Sequence, residues 1–346
     1  MVNTLKDLSS ELGLSQTTVS RALNGFPEVS ETTRQRVLAA AERLNYRPSA
    51  RARSLATGRT MTIGHVLTVS GRHEMMNPVY GDFLAGASEG YQGAGYRIHL
   101  EVVPDGDQER AYRDLAAERS VDGFMLQGPV SGDWRIALLQ EIGLPFVVHG
   151  RASLAGDRGY AWVDVNNREA FREGAERLLR LGHRRIGLVN GLENMDFARR
   201  RRDGYRAAIQ AKGLQEDPAL VAHDEMTDSF GYRAATAMLG GPNPPTAFLA
   251  ASILIAMGIR RALTDQGLAL GSDVSLLTHD DDLSYFRNGE GRPIFTAMRS
   301  SVRDAGRIAA RLLLDQIARG APKPVGHLLE ADYIEGPTTA RAPGTA

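Results

Sequence analysis

Residues 4–25, TLKDLSSELGLSQTTVSRALNG, contain two short helical patterns separated by a break at Gly13. The first pattern has one apolar face made of three leucines, Leu5, Leu8 and Leu12. Ser15 is placed as the N-cap of the second pattern, because its hydroxyl can accept a hydrogen bond from a free backbone N–H. Val19 and Leu23 lie four residues apart and face inward. The stretch therefore predicts two short helices that pack together across a tight turn.

The outward face of the second helix carries Gln16, Thr17 and Arg21. Side chains of this kind can reach base edges when the helix lies in the major groove of DNA. The sequence thus predicts a helix-turn-helix that reads bases, because the turn, the N-cap, the apolar periodicity and the exposed polar side chains all fit that motif. The alternative is a helical hairpin without a ligand, since short motifs do arise by chance.

A third helix is predicted over residues 29–47, with Ser30 as its N-cap and Glu31 in its first turn. We expect its buried stripe to consist of three residues at helical spacing, Leu38, Ala41 and Leu44. This helix completes an all-α DNA-binding domain over residues 1–47.

Residues 47–60, RPSARARSLATGRT, form a basic segment after this domain. A helix over 49–56 is shorter than the ~12–15 residues that make an isolated helix even marginally stable in water, so it needs a partner. A minor groove supplies one, with Arg51 and Arg53 on phosphates and Leu55 as a wedge between base steps. The alternative is a flexible basic linker whose Leu55 packs on the next domain.

Composition is typical of a cytoplasmic regulator. The 346 residues include no cysteine, which excludes a disulfide framework and thiolate zinc sites. No apolar run reaches the ~18 residues of a membrane span, and the N-terminus lacks a secretory pattern. Net charge is zero, but the first 60 residues hold nine Lys and Arg against five Asp and Glu. The local surplus of positive charge lies where phosphate binding requires it.

The chain after residue 60 alternates apolar runs with helical patterns. Eight runs indicate strands, at 62–69, 96–103, 122–127, 145–150, 161–165, 184–190, 246–250 and 274–279. Seven helical patterns lie between or after them, at 81–94, 107–118, 167–181, 199–212, 230–239, 254–266 and 301–319. This alternation favours parallel sheets covered by helices. The length fits two α/β subdomains with a ligand cleft at the carboxyl ends of their strands.

The first 60 residues resemble, almost position by position, the N-terminal region of the lac repressor-type (LacI/GalR) family of bacterial transcription regulators. The resemblance implies that Gln16, Thr17 and Arg21 read bases and that Leu55 intercalates at the centre of a palindrome. It also implies that Ser20, Asn24, Ser30 and Thr33 contact phosphates. We add Thr4 and Ser15 to the residues predicted to contact the DNA backbone. The implied partner is a pseudo-palindromic operator in double-stranded DNA bound by a homodimer.

The resemblance continues, less tightly, through NPVYGDFLAGASEGYQGAGYRI (77–98), LGHRRIGLVNG (181–191) and VSLLTHDDD (274–282). It implies a periplasmic-binding-protein-like sensor over 61–336 with a hinge at 48–60. We expect one subdomain at 61–161 plus 295–325 and the other at 162–294 plus 326–336. The Pro- and Gly-containing residues 337–346 are predicted to be a disordered tail.

Effector-binding candidates lie at strand ends and in the following loops. Arg201 matches the effector-contacting arginine of the family, and its planar guanidinium can bind adjacent hydroxyls. Asp280 matches the acidic residue after the strand at 274–279 and can accept from sugar hydroxyls. Tyr80 could stack on a pyranose ring, and Ser252 replaces a usual amide contact. Three further candidates at strand ends could donate from the other subdomain, Gln127 together with His149 or Arg151.

The predicted effector is a carbohydrate, with an α-glucoside or another disaccharide preferred, and no cofactor is implied. The chain has no phosphate-binding loop, no HExxH and no GxSxG elbow after a strand, so we predict that it is not an enzyme. Neighbouring residues of the HDDD run (279–282) rarely point at one ion, so no metal site is predicted. The main alternative is a sugar-binding or sugar-modifying α/β protein in which the DNA-binding appendage is of minor importance. Whether effector releases DNA or promotes its binding stays open, although induction is typical of sugar sensors in this family.

Overall fold

The computed structural model describes residues 4–46, 58–68, 77–153, 159–320 and 323–344. Three helices form the N-terminal domain, α1 (Leu5–Leu12), α2 (Gln16–Leu23) and α3 (Glu31–Arg43). Gly13 ends α1 in the left-handed conformation with φ of 64°, a conformation that costs glycine little. The predicted caps are confirmed, since Ser15 Oγ accepts from the Thr18 amide at 3.1 Å and Ser30 Oγ from the Thr33 amide at 3.3 Å.

The three helices enclose a small apolar core centred on Leu8, Val19 and Val37, all fully buried. The prediction that Leu38 belongs to this core is wrong, because 48% of the residue is exposed. The buried stripe of α3 runs through Val37, Ala40 and Ala41, and Leu38 is turned by about 100° from Val37 around a helix of 3.6 residues per turn. The predicted hinge residues Arg51, Arg53 and Leu55 lie outside the described residues.

The rest of the chain forms two six-stranded sheets. All eight predicted strands and all seven predicted helices are present, and the structure adds helix α6 and four short strands. In chain order the elements of the first part are β1 (Thr62–Thr68), α4 (Pro78–Gly93), β2 (Arg97–Val103), α5 (Gln108–Ala117), β3 (Gly123–Gln127), α6 (Trp134–Ile142), β4 (Phe146–His149) and β5 (Ala161–Val165). Those of the second part are α7 (Asn167–Arg180), β6 (Ile186–Asn190), α8 (Asp196–Gln210), β7 (Val221–His223), α9 (Asp228–Leu239), β8 (Ala247–Ala250), α10 (Ile253–Asp265), β9 (Ser275–Asp280) and β10 (Thr296–Arg299). The last elements are α11 (Val302–Arg319), β11 (Gly326–Leu329) and β12 (Asp332–Ile334).

The first sheet has strand order β11-β5-β4-β3-β1-β2 and the second has order β12-β10-β9-β8-β6-β7. Every described pairing is parallel except that of β10 with β12. Helices α4 and α11 pack on one face of the first sheet, and α5 and α6 pack on the other. No helix within the described ranges is both long enough and apolar enough to cross a bilayer.

The predicted boundaries between the subdomains, at 161/162, 294/295 and 325/326, each differ by one strand from the boundaries in the structure. Strand β5 and strand β11 both belong to the first sheet, whereas β10 belongs to the second. The chain therefore crosses between subdomains after β5, after β10 and after β11. Strands β10 and β11 carry no alternation that sequence reading could detect, so the two later boundaries are predicted without them. Strand β5 is predicted, but the first predicted boundary falls after its first residue.

The predicted disordered tail is also wrong for most of its length. Thr338 is buried, and its hydroxyl accepts from the Thr296 amide at 2.8 Å and donates to the Leu276 carbonyl at 2.7 Å. Further on, the Ala342 amide donates to the Leu181 carbonyl at 2.8 Å. These hydrogen bonds attach residues 338–342 to the second subdomain, despite a composition that is typical of disorder.

Helices α4 and α11 approach so closely that glycine is required at their crossing. A Cβ at Gly86 would lie 2.0 Å from the Arg303 carbonyl oxygen, and one at Gly306 would lie 2.2 Å from that of Phe83. Contacts this short are not made by real Cβ atoms, so larger residues would force the helices apart. The close contact between the two helices holds α4 next to the segment in which the chain passes from β10 of the second subdomain into α11.

The loop that joins β9 to β10 reaches from the second subdomain to the first. Leu283 is buried in the apolar cluster of the first subdomain. Ser284 follows it and is held by Asp82 of α4, with its amide donating at 2.7 Å and its hydroxyl at 2.5 Å. This contact, which we call the α4 clasp (Asp82 with Ser284), links the two halves next to the cleft.

Candidate functional site

The first candidate site is the exposed face of α2. Gln16, Thr17 and Arg21 are all exposed, whereas Val19 and Ala22 on the opposite side of the helix are buried. The three predicted base-reading side chains therefore share one solvent-facing surface. A helix about 10–12 Å in diameter with such a face fits the major groove.

The predicted backbone-contacting residues surround this face in different ways. Three of them are N-caps, Thr4, Ser15 and Ser30, and each accepts from an amide of its own helix. Asn24 is partly buried, and its Nδ2 donates back to the Ser20 carbonyl at 2.8 Å. Thr33 is also partly buried, and its hydroxyl lies 2.9 Å from that of Ser30. The Thr4 hydroxyl already donates to Asp7 Oδ2 at 2.8 Å, whereas the hydroxyls of Ser15 and Ser30 each pair with a threonine hydroxyl, so one proton of each pair can still reach a phosphate.

The second candidate site is a cleft at the carboxyl ends of both sheets. It encloses about 1250 Å³, including the part that is open to solvent. Its walls come from β1, α4, β3, α6, β4, β5 and α11, which pack in or on the first sheet, and from α7, α8 and the residue after β9 of the second subdomain.

Arg201 of α8 projects into this cleft from the middle of a run of four arginines. It is only 5% exposed, and its Nε donates to Asn167 Oδ1 and its Nη1 to the Ala251 carbonyl, both at 2.7 Å. Its guanidinium carbon lies 5.0 Å from the ring centre of Phe171 and 4.9 Å from that of Phe197. Burial lowers the pKa of Arg201 to about 10, so the side chain stays charged at neutral pH. Its position is thus fixed before any ligand arrives.

A chain of hydrogen bonds runs from Arg201 across to the first subdomain. Asn167 Nδ2 donates to Asp164 Oδ1 at 3.2 Å, and Arg151 Nε donates to the other oxygen of Asp164 at 2.9 Å. Arg151 also lies over the ring of Trp162 at 4.7 Å. Asp164 and Asn167 are cleft residues that the sequence did not identify. Their only signal is a polar pair that flanks the end of a buried strand.

The predicted carboxylate Asp280 does not line the cleft, and Asp281 takes its place. Asp280 is fully buried at the end of β9, where Arg299 Nε donates to one oxygen at 2.8 Å and the Asp282 amide to the other at 2.9 Å. Asp281 reaches the cleft beside His279, whose Nε2 lies 3.3 Å from Asp281 Oδ1. Burial opposes its ionisation, but the charges of His279, Arg201 and His149 hold the pKa of Asp281 below its ordinary value.

Ser252 is likewise not part of the cleft wall. It is the N-cap of α10, with its hydroxyl accepting from the Ile255 amide at 3.2 Å, and it is 3% exposed. A short side chain in that position serves the helix and does not extend into the cavity. The remaining candidates, Tyr80, Gln127, His149, Arg151 and Arg201, all line one cavity.

The positive charges of the arginines along the cleft wall are compensated by carboxylates of the protein itself. Three arginines line it, of which Arg135 pairs with Asp133 at 2.6 Å and Arg151 with Asp164. Burial lowers the pKa of Arg201, and the charges of Asp281 and Asp164 partly offset that effect. A cleft with internally compensated charges favours a neutral polar ligand over an anion, because an anion would compete with carboxylates already in place.

A helix-turn-helix attached to a two-sheet ligand cleft defines a class of regulators that bind DNA. A family model described as bacterial regulatory proteins, lacI family, matches residues 4–49, and one described as periplasmic binding protein-like domain matches residues 175–339. The HTH-type transcriptional regulator AglR of Rhizobium meliloti is 42% identical over 98% of this chain and 95% of its own length. The HTH-type transcriptional regulator CelR of Thermobifida fusca is 30% identical over 96% of both chains.

Two solved structures of similar fold are also structures of transcription regulators. A lac repressor dimer bound to operator and an anti-inducer superposes with a TM-score of 0.80 at 25% identity, covering 98% of this chain and all of the other. A complex of CelR with cellobiose superposes with a TM-score of 0.72 at 28% identity, covering 97% and 99%. The chain belongs to the lacI family of bacterial regulatory proteins. It is a DNA-binding transcription regulator, which confirms the predicted fold class and family.

Proposed function

We propose that the protein is a repressor of carbohydrate-utilisation genes whose operator affinity is controlled by a neutral sugar in the cleft. The observation that carries the proposal is the fixed Arg201 beside Asp281 in a cavity whose charges are otherwise balanced. A guanidinium and a carboxylate on one wall can donate to and accept from neighbouring hydroxyls of one sugar ring. The cellobiose complex of the CelR relative supports a disaccharide as the ligand.

In this proposal residues 1–47 read DNA through Gln16, Thr17 and Arg21, while capping and neighbouring polar residues hold the backbone. Residues 48–60 are the hinge, with Leu55 as the minor-groove wedge. A homodimer places two such units on a pseudo-palindromic operator, through the face that carries α4. The lac repressor structure, a dimer on operator DNA, supports this arrangement.

The cleft is proposed to bind its sugar without changing it. The relatives that match over nearly the whole chain are named as transcriptional regulators and not as enzymes. The effector residues of the proposal are Tyr80, Gln127, His149, Arg151 and Arg201, with Asp281 as the carboxylate.

We infer that the α4 clasp carries the effect of the ligand toward the dimer face. Asp281 faces the cleft, and Ser284 three residues later is bound to Asp82 of α4. A ligand that pulls on Asp281 therefore acts on a short segment whose other end is anchored to the proposed dimer helix. Such a contact biases the equilibrium between DNA-competent and incompetent states only if it differs between them.

Replacing Ser284 by alanine should weaken this coupling while leaving sugar binding intact. The variant loses the hydroxyl hydrogen bond to Asp82 and the one that this hydroxyl accepts from Arg303 Nη1 at 3.2 Å. A hydrogen bond to a charged group contributes about 1.5–3 kcal/mol, so sugar-dependent operator release should fall by about tenfold or more. Ser272→Ala removes an exposed hydroxyl from another loop of the second subdomain and is the matched control. Calorimetry gives the sugar affinity and fluorescence anisotropy on operator DNA gives the release; release equal to wild type would rule out the clasp as the link.

The proposed function is tested by screening mono- and disaccharides for a rise in melting temperature of the full chain. A ligand that binds the folded state raises stability by mass action, by about 2.7 kcal/mol at a hundredfold excess over its Kd. The active sugar should also change binding to operator DNA and be recovered chemically unaltered. Recovery of a modified sugar would favour a sugar-modifying enzyme, and no response to any sugar would exclude carbohydrate sensing.

A further inference from the structure

His65 is a polar residue in a position where the fold calls for an apolar one. It lies in β1, on the same face as Ile63, which belongs to the apolar cluster under α4 and α11. Its register partner in β3 is Met125, another member of that cluster. Its ring meets that of Tyr91 from α4 edge to face, with the ring centres 6.1 Å apart. An aliphatic side chain would complete this layer.

His65 also has no hydrogen-bond partner among the described residues. It is 1% exposed, and neither Nδ1 nor Nε2 makes a hydrogen bond there. An unpaired buried polar group costs about 1–3 kcal/mol, so such groups are rare in stable proteins and require an explanation. His183 in the second subdomain shows the ordinary situation, because its ring nitrogens contact Thr246, Ser275 and the Ala340 carbonyl.

His65 is also one of the residues that form the wall of the cleft. His65 lines the same cavity as Arg201 and Asp281. Gln127 and His149 extend its face of the sheet at the carboxyl ends of β3 and β4. Gln127 Nε2 is also buried and without a hydrogen-bond partner within the described ranges. Two residues of the first-subdomain wall, His65 and Gln127, thus contain buried nitrogens without a hydrogen-bond partner among the described residues.

We propose that His65 determines ligand specificity by forming a hydrogen bond with one hydroxyl group of the sugar bound in the cleft. The inference rests on the proposed function and adds to it a residue on the wall facing Arg201. A neutral imidazole has one N–H donor and one acceptor nitrogen, and a hydroxyl can pair with either. The ring is neutral at physiological pH, because burial lowers the pKa of His65 to about 4.

The chemistry of the wall selects a hydroxyl over other groups. A ligand carboxylate or phosphate would need a charged partner, but the cleft arginines already face carboxylates. A purely apolar ligand group would leave both nitrogens of His65 unpaired. A site built to hydrogen-bond a hydroxyl rejects analogues that lack it, which is how such a residue confers specificity.

The test compares His65→Leu, His65→Gln and His183→Leu in the full chain. Maltose, trehalose, sucrose and cellobiose are titrated by calorimetry, followed by monodeoxy analogues of whichever sugar binds. His65→Leu should raise the Kd about tenfold or more, because the sugar hydroxyl loses its partner. His65→Gln keeps a donor and an acceptor and should restore part of the affinity. One monodeoxy sugar should bind wild type and His65→Leu equally.

Thermal unfolding without sugar supplies a second readout. His65→Leu should keep or raise the melting temperature, since it removes an unpaired polar group, whereas His183→Leu should lower it. A marked drop in the melting temperature of His65→Leu with unchanged sugar affinity would show that His65 has a structural partner and would overturn the inference. Equal affinity of wild type and His65→Leu for every sugar overturns only the role of His65. If no sugar binds wild type, the proposed function fails, and the hydroxyl assignment fails with it.

Discussion

Replacing Arg201 by alanine should abolish the response to sugar and leave operator binding in place. The side chain supplies charge-assisted hydrogen bonds to the ligand, each worth about 1.5–3 kcal/mol, so loss of the two that one nitrogen with two N–H groups can donate should weaken binding by more than a hundredfold. Within the described part of the chain the hydrogen bonds of Arg201 are made by Nε and Nη1. Its remaining nitrogen is therefore the group that faces the sugar in this proposal.

The alanine variant also removes a buried cation from between two carboxylates, Asp164 and Asp281. Breaking such a buried charge arrangement costs about 3–5 kcal/mol, so the variant could be lost through unfolding alone. Arg201→Lys keeps the positive charge but not the planar fork, and we expect it to fold and to bind sugar at least tenfold more weakly. A lysine variant with wild-type affinity would show that the guanidinium does not contact the ligand.

Arg202 provides a matched control one residue further along the same helix. It points away from the cleft and pairs with Glu216 at 2.7 Å and with Glu193 at 2.6 Å. Arg202→Ala removes the same type of side chain and should leave sugar affinity within about twofold of wild type, as is usual for partly exposed ion pairs. Calorimetry on the three variants, with operator anisotropy beside it, separates loss of sensing from loss of fold.

The run of four arginines shows what the sequence could and could not predict. Periodicity alone allows a solvated helix face at 199–202, and only the family resemblance selected Arg201. In the structure Arg200 and Arg202 form ion pairs with Asp196 and Glu216, while Arg201 turns inward. Which member of such a run is buried depends on how α8 packs against α7, and that rotation is set by tertiary contacts.

The three aspartates at the end of β9 (280–282) show the same limit of sequence-based prediction, here for a strand. Side chains alternate across a strand, so a shift of one residue in its end moves a carboxylate from one face to the other. The structure extends β9 to Asp280, whose register partner Arg299 binds it. That register depends on β10, a strand of four residues that sequence patterning could not detect.

Elements with strong local signals were predicted well. The caps Ser15 and Ser30, the turn at Gly13 and the eight predicted strands follow from hydrogen-bonding chemistry and from apolar patterning. The cleft residues Asp164 and Asn167 could not be predicted in the same way. Their role follows from a hydrogen-bond chain that joins distant parts of the sequence.

Replacing Arg21 by alanine should lower the preference for operator over random DNA. Arg21 is exposed on α2 beside Gln16 and Thr17, so its removal disturbs no core residue. A bidentate contact of arginine with guanine contributes about 1–3 kcal/mol of discrimination, which corresponds to a five- to 150-fold loss on operator DNA. Binding to random duplexes should fall only slightly, because it depends on the total positive charge and not on base edges.

Arg36→Ala is the matched control, because it removes an equal charge from an exposed position on α3 outside the proposed base-reading face. An operator is first selected from a random duplex pool with the wild-type protein, and both variants are then compared by anisotropy on that duplex and on a scrambled one. Arg36→Ala should weaken both duplexes by the same factor. Arg21→Ala should weaken the selected duplex by a much larger factor than the scrambled one. The salt dependence separates the two variants further, since a lost phosphate contact reduces the slope of log K against log salt by about one. Equal losses on both duplexes for Arg21→Ala would assign that side chain to phosphate binding, and base reading would then depend on Gln16 and Thr17.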